Sequence, residues 1–144
     1  MDTIDFKIER LILKAGNTLN TIRTDDLRQN NLTPAQSEAI LFYCDNGGKS
    51  IKDLAAHLKI THQAASKLTE KLKEKNILTA HPAEEDKRFF SIFLTDCGQE
   101  LCSKLKEKGS IIGNSILDNI SDQEKELLLT LMLKIENNID KNKM

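Results

Sequence analysis

Apolar residues recur every three to four positions along most of this chain, which is the spacing that buries one side of an α-helix. The first such stretch, residues 3–27, carries an apolar stripe of Ile4, Ile8, Leu11, Ile12, Ala15, Leu19 and Ile22. Five further helices are predicted, and each opens on a residue whose side chain can cap a helix: Thr33, Ser50, Thr61, Thr95 and Ser121. The pattern therefore predicts a chain of six helices.

Between the fourth and fifth helices the spacing changes from helical to alternating. In residues 89–94, Phe90, Ile92 and Leu94 fall on one side of an extended chain, while Phe89 and Phe93 fall on the other. We expect the first side to anchor a hairpin. Residues 77–80 are predicted to form the first strand, which a proline at position 82 should break, and residues 88–94 return as its partner after a charged turn. The predicted fold class is mainly α with a small β-wing of two or three strands.

A helix, a short helix, a tight turn, a further helix and a hairpin form a winged helix-turn-helix. The major groove of DNA, about 12 Å wide, admits one helix, and that helix needs small or polar residues on its outer side. The predicted DNA-binding residues of this recognition helix are Thr61, His62, Gln63, Ala65, Ser66, Lys67 and Lys71. Gln63 suits an adenine edge, and Lys67 suits a guanine edge or a phosphate. Thr33, Ser50 and Lys52, at two preceding helix starts, are predicted phosphate contacts.

The charge distribution changes the picture more than the net charge of −1 does. Residues 49–75 hold seven basic and three acidic residues, a formal charge of +4, while both flanks are acidic. A solvated lysine-rich surface is one interpretation, and a surface for double-stranded DNA is the other. The sequence contains no phosphate-binding glycine loop, nucleophile elbow or metal-ligand spacing, so we predict neither an enzyme nor a metal or other cofactor.

Three cysteines, Cys44, Cys97 and Cys102, do not suggest a disulfide framework. The N-terminus lacks the pattern of a signal peptide and no apolar run approaches about 18 residues, so no membrane is expected as a partner. These observations together favour a reducing cytoplasm. The predicted role of all three cysteines is that of small buried apolar residues, and Cys97 and Cys102 are expected on different faces of one helix.

Two motifs carry a resemblance to a known family. The turn reads Asp86-Lys87-Arg88, and the strand after it ends in Leu94-Thr95-Asp96-Cys97-Gly98. With the recognition-helix sequence at positions 60–68, nearly the whole chain resembles the MarR (multiple antibiotic resistance regulator) family of transcription factors. The resemblance implies that Arg88 or Lys87 enters the minor groove while Asp86 positions the tip. Lys87 stands where the family more often has arginine, which implies a weaker contribution from the tip.

The resemblance also implies a homodimer that binds a pseudo-palindromic operator, with repression as the family's commoner outcome. Residues 1–144 are interpreted as a single domain, with the DNA-binding lobe at about 31–95 and dimerisation helices at about 1–30 and 96–144. The apolar stripes support a dimer independently, because the first and last helices carry more apolar surface than a small winged core can cover. A tight monomeric bundle is the alternative.

A small-molecule effector is the last implication of the resemblance, with Thr18, Tyr43 and Cys44 as expected members of its pocket. Two other functions remain open for the same fold. One is a protein-interaction module that has lost DNA binding. The other is a cysteine-based redox sensor, although the reactive cysteine of such family members usually lies near the start of the first helix and residues 1–30 contain none.

Overall fold

The computed structural model describes residues 1–142. In this part of the chain the predicted six helices and the hairpin are confirmed, and a short 3-10 turn follows the first helix. The elements are α1 (Ile4–Leu27), α2 (Pro34–Asp45), α3 (Ile51–Leu58), α4 (His62–Glu74), β1 (Leu78–Pro82), β2 (Phe90–Leu94), α5 (Asp96–Ile116) and α6 (Asp122–Asn142). The chain divides within α5 into two compact units, Met1–Leu105 and a second unit that begins at Lys106.

Side-chain caps define where the helices begin. At α2, the Thr33 hydroxyl accepts from the Gln36 N–H at 3.1 Å, and the Gln36 side chain accepts from the Thr33 N–H at 3.1 Å. At α3, Ser50 and Asp53 make the same reciprocal pair. Each cap satisfies amide groups that the first helical turn leaves without partners. The polar residues that predicted these helix starts therefore form them.

Left-handed residues define where two of the helices end. Lys59 has a φ of 58° and follows α3, while Asn76 has a φ of 60° just after α4. Asparagine tolerates this conformation better than most residues other than glycine, as expected from its position in the sequence. The sharp turn at Lys59 sets α4 against α3, and this produces the helix-turn-helix.

The core of the first unit collects side chains from α2, α3, α4 and the hairpin. Its most buried large members are Tyr43, Ile40, Leu54, Leu72 and Ile92. The Tyr43 hydroxyl donates to the Ser50 carbonyl at 3.1 Å, so the one polar atom of this ring is satisfied inside the core. Burial raises the pKa of Tyr43 well above its usual value, with a smaller contribution from the charge of Asp53. Ile92 brings the hairpin into the same core as these helices.

The hairpin is an antiparallel pair whose register runs from Leu78 opposite Leu94 to Pro82 opposite Phe90. Pro82 is the last residue of β1, so the strand ends at the proline as expected, although it runs two residues beyond the predicted bound at position 80. Among the described residues β1 pairs with β2 alone, and an edge strand tolerates a residue that has no N–H. On the other side of β2, the Gly48 N–H donates to the Ile92 carbonyl at 2.8 Å and the Ile92 N–H donates to the Lys49 carbonyl at 3.0 Å.

The predicted anchoring face of the hairpin is only partly buried. Ile92 is buried and Leu94 is half-buried, but Phe90 is 51% exposed, so its predicted anchoring role is wrong. The alternating pattern still places Phe90 on the same side of β2 as Ile92 and Leu94. Phe90 stands at the outer end of β2, beyond the helices that cover Ile92.

The start of α5 is joined to the start of β1 by a compact set of contacts. The Thr95 N–H donates to the Ile77 carbonyl at 3.0 Å, and the Thr95 hydroxyl donates to the Asn76 carbonyl at 2.6 Å. The same hydroxyl accepts from the Gly98 N–H at 3.0 Å. Gly98 is buried, and a Cβ there would overlap the Ile77 carbonyl oxygen and lie 3.2 Å from the Leu94 side chain. The Leu-Thr-x-x-Gly motif is thus a helix cap placed directly against a strand.

Helices α1 and α6 each expose a series of large apolar side chains. On α1 these are Ile4, Phe6, Ile8, Leu11, Leu13 and Ile22. On α6 they are Leu127, Leu128, Leu129, Leu131, Met132, Leu133 and Ile139, and none of the described residues of α6 is buried. Apolar surface of this extent on a helix normally packs against another protein surface.

Candidate nucleic-acid interface

The recognition helix α4 presents most of its predicted DNA-binding residues to solvent. Thr61, His62, Gln63, Lys67 and Lys71 are exposed, and Ser66 is half-buried. The Ser66 hydroxyl lies 3.5 Å from Nδ1 of His62, one turn earlier on the same side of the helix. The side chains that can reach base edges therefore project from the first two turns of α4.

Ala65 is a correction to the predicted set. Its side chain is 0% exposed, and it faces the core together with Thr69 and Leu72, at the spacing of one helix face. The Thr69 hydroxyl donates to the Ala65 carbonyl at 2.9 Å, so this buried polar group is satisfied. Ala64 is the alanine that lies on the exposed side. The small size of Ala65 lets α4 approach the core closely and gives it no access to DNA.

The wing tip is organised by a two-residue ion pair. The Arg88 guanidinium donates to both oxygens of the Asp86 carboxylate, from Nε at 3.1 and 3.3 Å and from Nη2 at 2.8 Å, and the Arg88 N–H adds a further bond at 3.1 Å. These bonds lower the pKa of Asp86 and raise the pKa of Arg88. The Arg88 side chain remains 84% exposed. Asp86 therefore holds the shape of the turn while the guanidinium still faces solvent, as Lys87 does.

A cleft of about 370 Å³ brings the three predicted surfaces together. It lies between the start of α3, the start of α4 and the wing, and its walls are Ser50, Ile51, Lys52, His62, Arg88, Phe89 and Phe90. Two predicted phosphate contacts, Ser50 and Lys52, one recognition-helix residue and the wing arginine thus border the same space. Lys52 and Arg88 place positive charge on two sides of this cleft, which favours the binding of a polyanion that passes through it.

The helix starts predicted to hold phosphates have part of their donors already engaged. The Ser50 N–H donates to Asp53 at 3.0 Å, and the Thr33 N–H donates to the side chain of Gln36 at 3.1 Å. Bonds from Ser50 lower the pKa of Asp53, with nearby Lys49 and Lys52 contributing, so a carboxylate charge stands at the start of α3. The exposed ammonium group of Lys52 is therefore a better phosphate ligand there than the Ser50 amide.

Thr33 lies away from this cleft. Lys75, just after the end of α4, donates to the Asn31 carbonyl at 2.6 Å, which places the start of α2 beside the C-terminal end of the recognition helix. A helix of 13 residues is about 20 Å long. Thr33 therefore lies near the C-terminal end of α4 and Ser50 near its N-terminal end, so the two predicted contacts cannot bind the same phosphate.

Phe89 is a surface residue that is absent from the predicted interface. Its side chain is 60% exposed, and the Arg88 guanidinium lies 6.0 Å from the centre of its ring. The alternating pattern contains the signal, because it places Phe89 on the side of the predicted strand opposite Phe90, Ile92 and Leu94. The wing therefore offers an aromatic surface next to its arginine.

The residues expected in an effector pocket have separate surroundings. Thr18 is exposed on α1, whereas Tyr43 lies in the core with its hydroxyl bonded to Ser50. Cys44 is joined to Cys102 in a disulfide. The prediction of a pocket from these three residues stays a prediction.

The cysteines depart from their predicted common role. Cys102 is buried as expected, but it is bonded to Cys44, and Cys97 is an exposed free thiol. The expectation of three small buried apolar residues is wrong for Cys97 and incomplete for the pair. The pairing joins α2 to α5 across 58 positions of sequence, a distance over which periodicity carries no information.

Two further findings concern the described residues, 1–142. None of their helices is long and apolar enough to cross a membrane. No group of three or more histidine, cysteine or acidic side chains in this range is arranged to hold a metal ion.

Comparisons with known proteins agree with this geometry. Residues 30–88 match the model of the MarR family. The uncharacterized HTH-type transcriptional regulator YybA of Bacillus subtilis (strain 168) is 24% identical over 132 residues, which cover 92% of this chain and 86% of that protein. A putative MarR family transcriptional regulator from Listeria monocytogenes, solved with a 26mer DNA, superposes with a TM-score of 0.86 at 22% identity, over 99% of this chain and 92% of that one. FabT of Streptococcus pneumoniae, solved in complex with DNA, gives a TM-score of 0.82 at 15% identity, over 94% and 96% of the two chains.

Proposed function

We propose that this chain is a transcriptional regulator of the MarR family, that it binds a pseudo-palindromic operator in double-stranded DNA as a homodimer, and that it represses transcription until a small molecule releases it. Each protomer would place α4 in a major groove and its wing in the flanking minor groove. The proposed location is the cytoplasm, and we propose no catalytic role.

The observation that carries the proposal is the cleft between α3, α4 and the wing. Lys52 and Arg88 border it from opposite elements, and His62 opens the recognition helix at its edge. In this arrangement the exposed Gln63 and Lys67 would meet base edges, while Lys52 would contact the backbone and Arg88 would enter the minor groove. The two similar structures solved with DNA support this use of the same fold.

The homodimer is supported by the exposed apolar residues of α1 and α6. Both helices expose large apolar side chains, and a second copy would supply the same side chains under two-fold symmetry. A dimer also gives two recognition helices, which a pseudo-palindromic operator requires.

DNA binding is tested by selecting duplexes from a random library with the purified protein, followed by fluorescence anisotropy on the best duplex. We expect log Kd to rise with log salt concentration with a slope of about 5, for roughly six phosphates neutralised by the dimer. The variant Lys67→Ala should weaken binding and lower this slope by about 1 for each phosphate that the missing ammonium group no longer neutralises.

The matched control is Lys104→Ala, which removes an exposed lysine of α5 outside the proposed surface. It should leave both Kd and the slope unchanged. If no duplex is enriched and no binding is measured even at low salt, the chain is better described as a protein-interaction module of the same fold.

Dimerisation is tested by sedimentation equilibrium, where we expect twice the 16.3 kDa mass of one chain. Leu128→Glu places a charge in the exposed apolar surface of α6 and should shift the mass towards the monomer. Thr130→Glu is the control, because at about 100° per residue Thr130 lies on the polar side of α6. A wild-type protein that sediments as a monomer at all concentrations would overturn the dimer.

A further inference from the structure

Helix α2 is fastened to two other helices at its two ends. Near its start, Arg23 of α1 forms an ion pair with Glu38 and donates to the Ser37 hydroxyl at 2.8 Å. Near its end, Cys44 is bonded to Cys102 of α5. All of these contacts lie within the first compact unit. The fastening at the start is ionic, whereas the one at the end is covalent and can be opened by reduction.

The surroundings of the two sulfurs differ in a way that suits stepwise oxidation. The Cα atoms of Cys44 and Cys102 are 6.5 Å apart, within the range that a disulfide spans without moving the backbone. Cys102 is fully buried in the core, while Cys44 is half-buried at its edge. A small oxidant reaches Cys44 first, and Cys102 is then the thiol next to it. Cys97, five residues before Cys102, is exposed and stays free.

We infer that Cys44 and Cys102 form a redox-active pair that a hydroperoxide oxidises, and that the link between α2 and α5 controls the affinity for DNA. This inference rests on the proposed function for its readout. The Cys44 thiol loses its proton and attacks the peroxide; a sulfur–oxygen bond forms as the oxygen–oxygen bond breaks, and the released hydroxide takes that proton and leaves as water. The Cys102 thiol then attacks the sulfur of the resulting sulfenic acid; the disulfide forms as the sulfur–oxygen bond breaks, and the hydroxide takes the Cys102 proton and leaves as a second water. Two thiols lose two electrons, and one hydrogen peroxide becomes two waters.

The link reaches the DNA-binding surface through α2. This helix packs against α3, α4 and β2, so a change at its end moves the recognition helix and the wing with it. Two sulfur atoms in van der Waals contact lie farther apart than two bonded sulfur atoms, so opening the disulfide pushes α2 and α5 apart. In a closely packed core, such a displacement also shifts the elements that pack against these helices. With the link closed, each lobe has less freedom to adjust to the spacing of two grooves. We therefore expect the oxidised dimer to bind DNA more weakly.

The first experiment tests the site by itself. The reduced full-length protein is treated with equimolar hydrogen peroxide and analysed by intact mass and by peptide mapping after alkylation. The expected product is two hydrogens lighter, with the Cys44 peptide joined to the Cys102 peptide and Cys97 alkylated. The proposed pair is overturned by a product whose disulfide involves Cys97. It is also overturned by a product in which all three thiols are alkylated.

The second experiment tests the coupling on the selected duplex. We expect Kd to rise at least about fivefold on oxidation and to return with dithiothreitol. Cys44→Ser and Cys102→Ala should show one Kd with or without peroxide, and Cys97→Ser, the matched control, should respond like the wild type. Circular dichroism shows whether the variants are folded, and Cys44→Ser covers the case in which the buried Cys102→Ala does not fold.

Equal Kd values for the reduced and oxidised wild type, or tighter binding on oxidation, would overturn the coupling. If neither state binds any duplex, the proposed function itself fails. The mass experiment then still decides whether the cysteine pair forms, so the two failures are distinguishable.

Discussion

Arg88→Ala should weaken binding to the selected duplex by about a hundredfold, which is the largest effect expected from any single side chain of the interface. An arginine that contacts DNA directly contributes about 1–3 kcal/mol to the free energy of binding, and a dimer carries two such arginines. The Arg88 side chain is highly exposed and is held by Asp86 at the tip of the wing, so the weakening comes from the DNA complex rather than from folding. Fluorescence anisotropy at fixed salt measures it, and thermal unfolding should be unchanged.

Arg28→Ala is the matched control, since Arg28 is also an exposed arginine and pairs only loosely with Asp25, at 3.4 Å. It lies just after α1, away from the wing, and its replacement should leave Kd within about twofold of the wild type. A wild-type Kd for Arg88→Ala would remove the wing from the proposed mode of binding, even if the recognition helix still bound.

Gly98→Ala should lower the free energy of unfolding by about 2–3 kcal/mol, because an added methyl group has no space at this position. It would overlap the Ile77 carbonyl and crowd the Leu94 side chain. Backbone cannot yield as a flexible side chain does, so α5 has to move away from β1. Thermal unfolding followed by circular dichroism should show Tm lower by roughly 5–10 °C for a chain of this size.

The same helix supplies the control for this substitution. A Cβ on Gly109 would meet nothing within 4 Å, so Gly109→Ala only replaces glycine by a better helix former. It should leave Tm unchanged or raise it slightly. Equal stability of Gly98→Ala and the wild type would show that β1 and α5 can separate at their junction with little cost.

The local features of the fold are the ones that the sequence predicts well. Helices begin after Thr33, Ser50 and Thr61 because the side chain of each residue accepts a hydrogen bond from the backbone N–H three positions later. The residues that determine these helix starts are therefore close together in the sequence. The left-handed end at Asn76 is equally local. Such features depend on backbone geometry over one turn, and distant packing does not change them.

Features that depend on tertiary surroundings are predicted less well. Ala64 and Ala65 are identical in type and adjacent, and only the packing of α4 decides that the second is buried. Pro82 remains in a strand because β1 is an edge, which a prediction from residue types could not include. Phe90 is apolar yet exposed, since the helices cover only the inner part of β2. Motifs in the sequence therefore predict the candidate site, whereas the burial of its residues requires the structure.

The bond between Cys44 and Cys102 has a consequence for the topology of the chain. It closes residues 44–102 into a covalent ring that contains α3, α4 and both strands of the wing. A protease that cut the exposed wing once would open this ring without releasing a fragment. Closing a loop of this length also removes conformations from the unfolded chain, an effect of about 4 kcal/mol in the loop-entropy description. In the oxidised protein, the elements proposed to bind DNA are thus the part of the chain whose ends cannot separate.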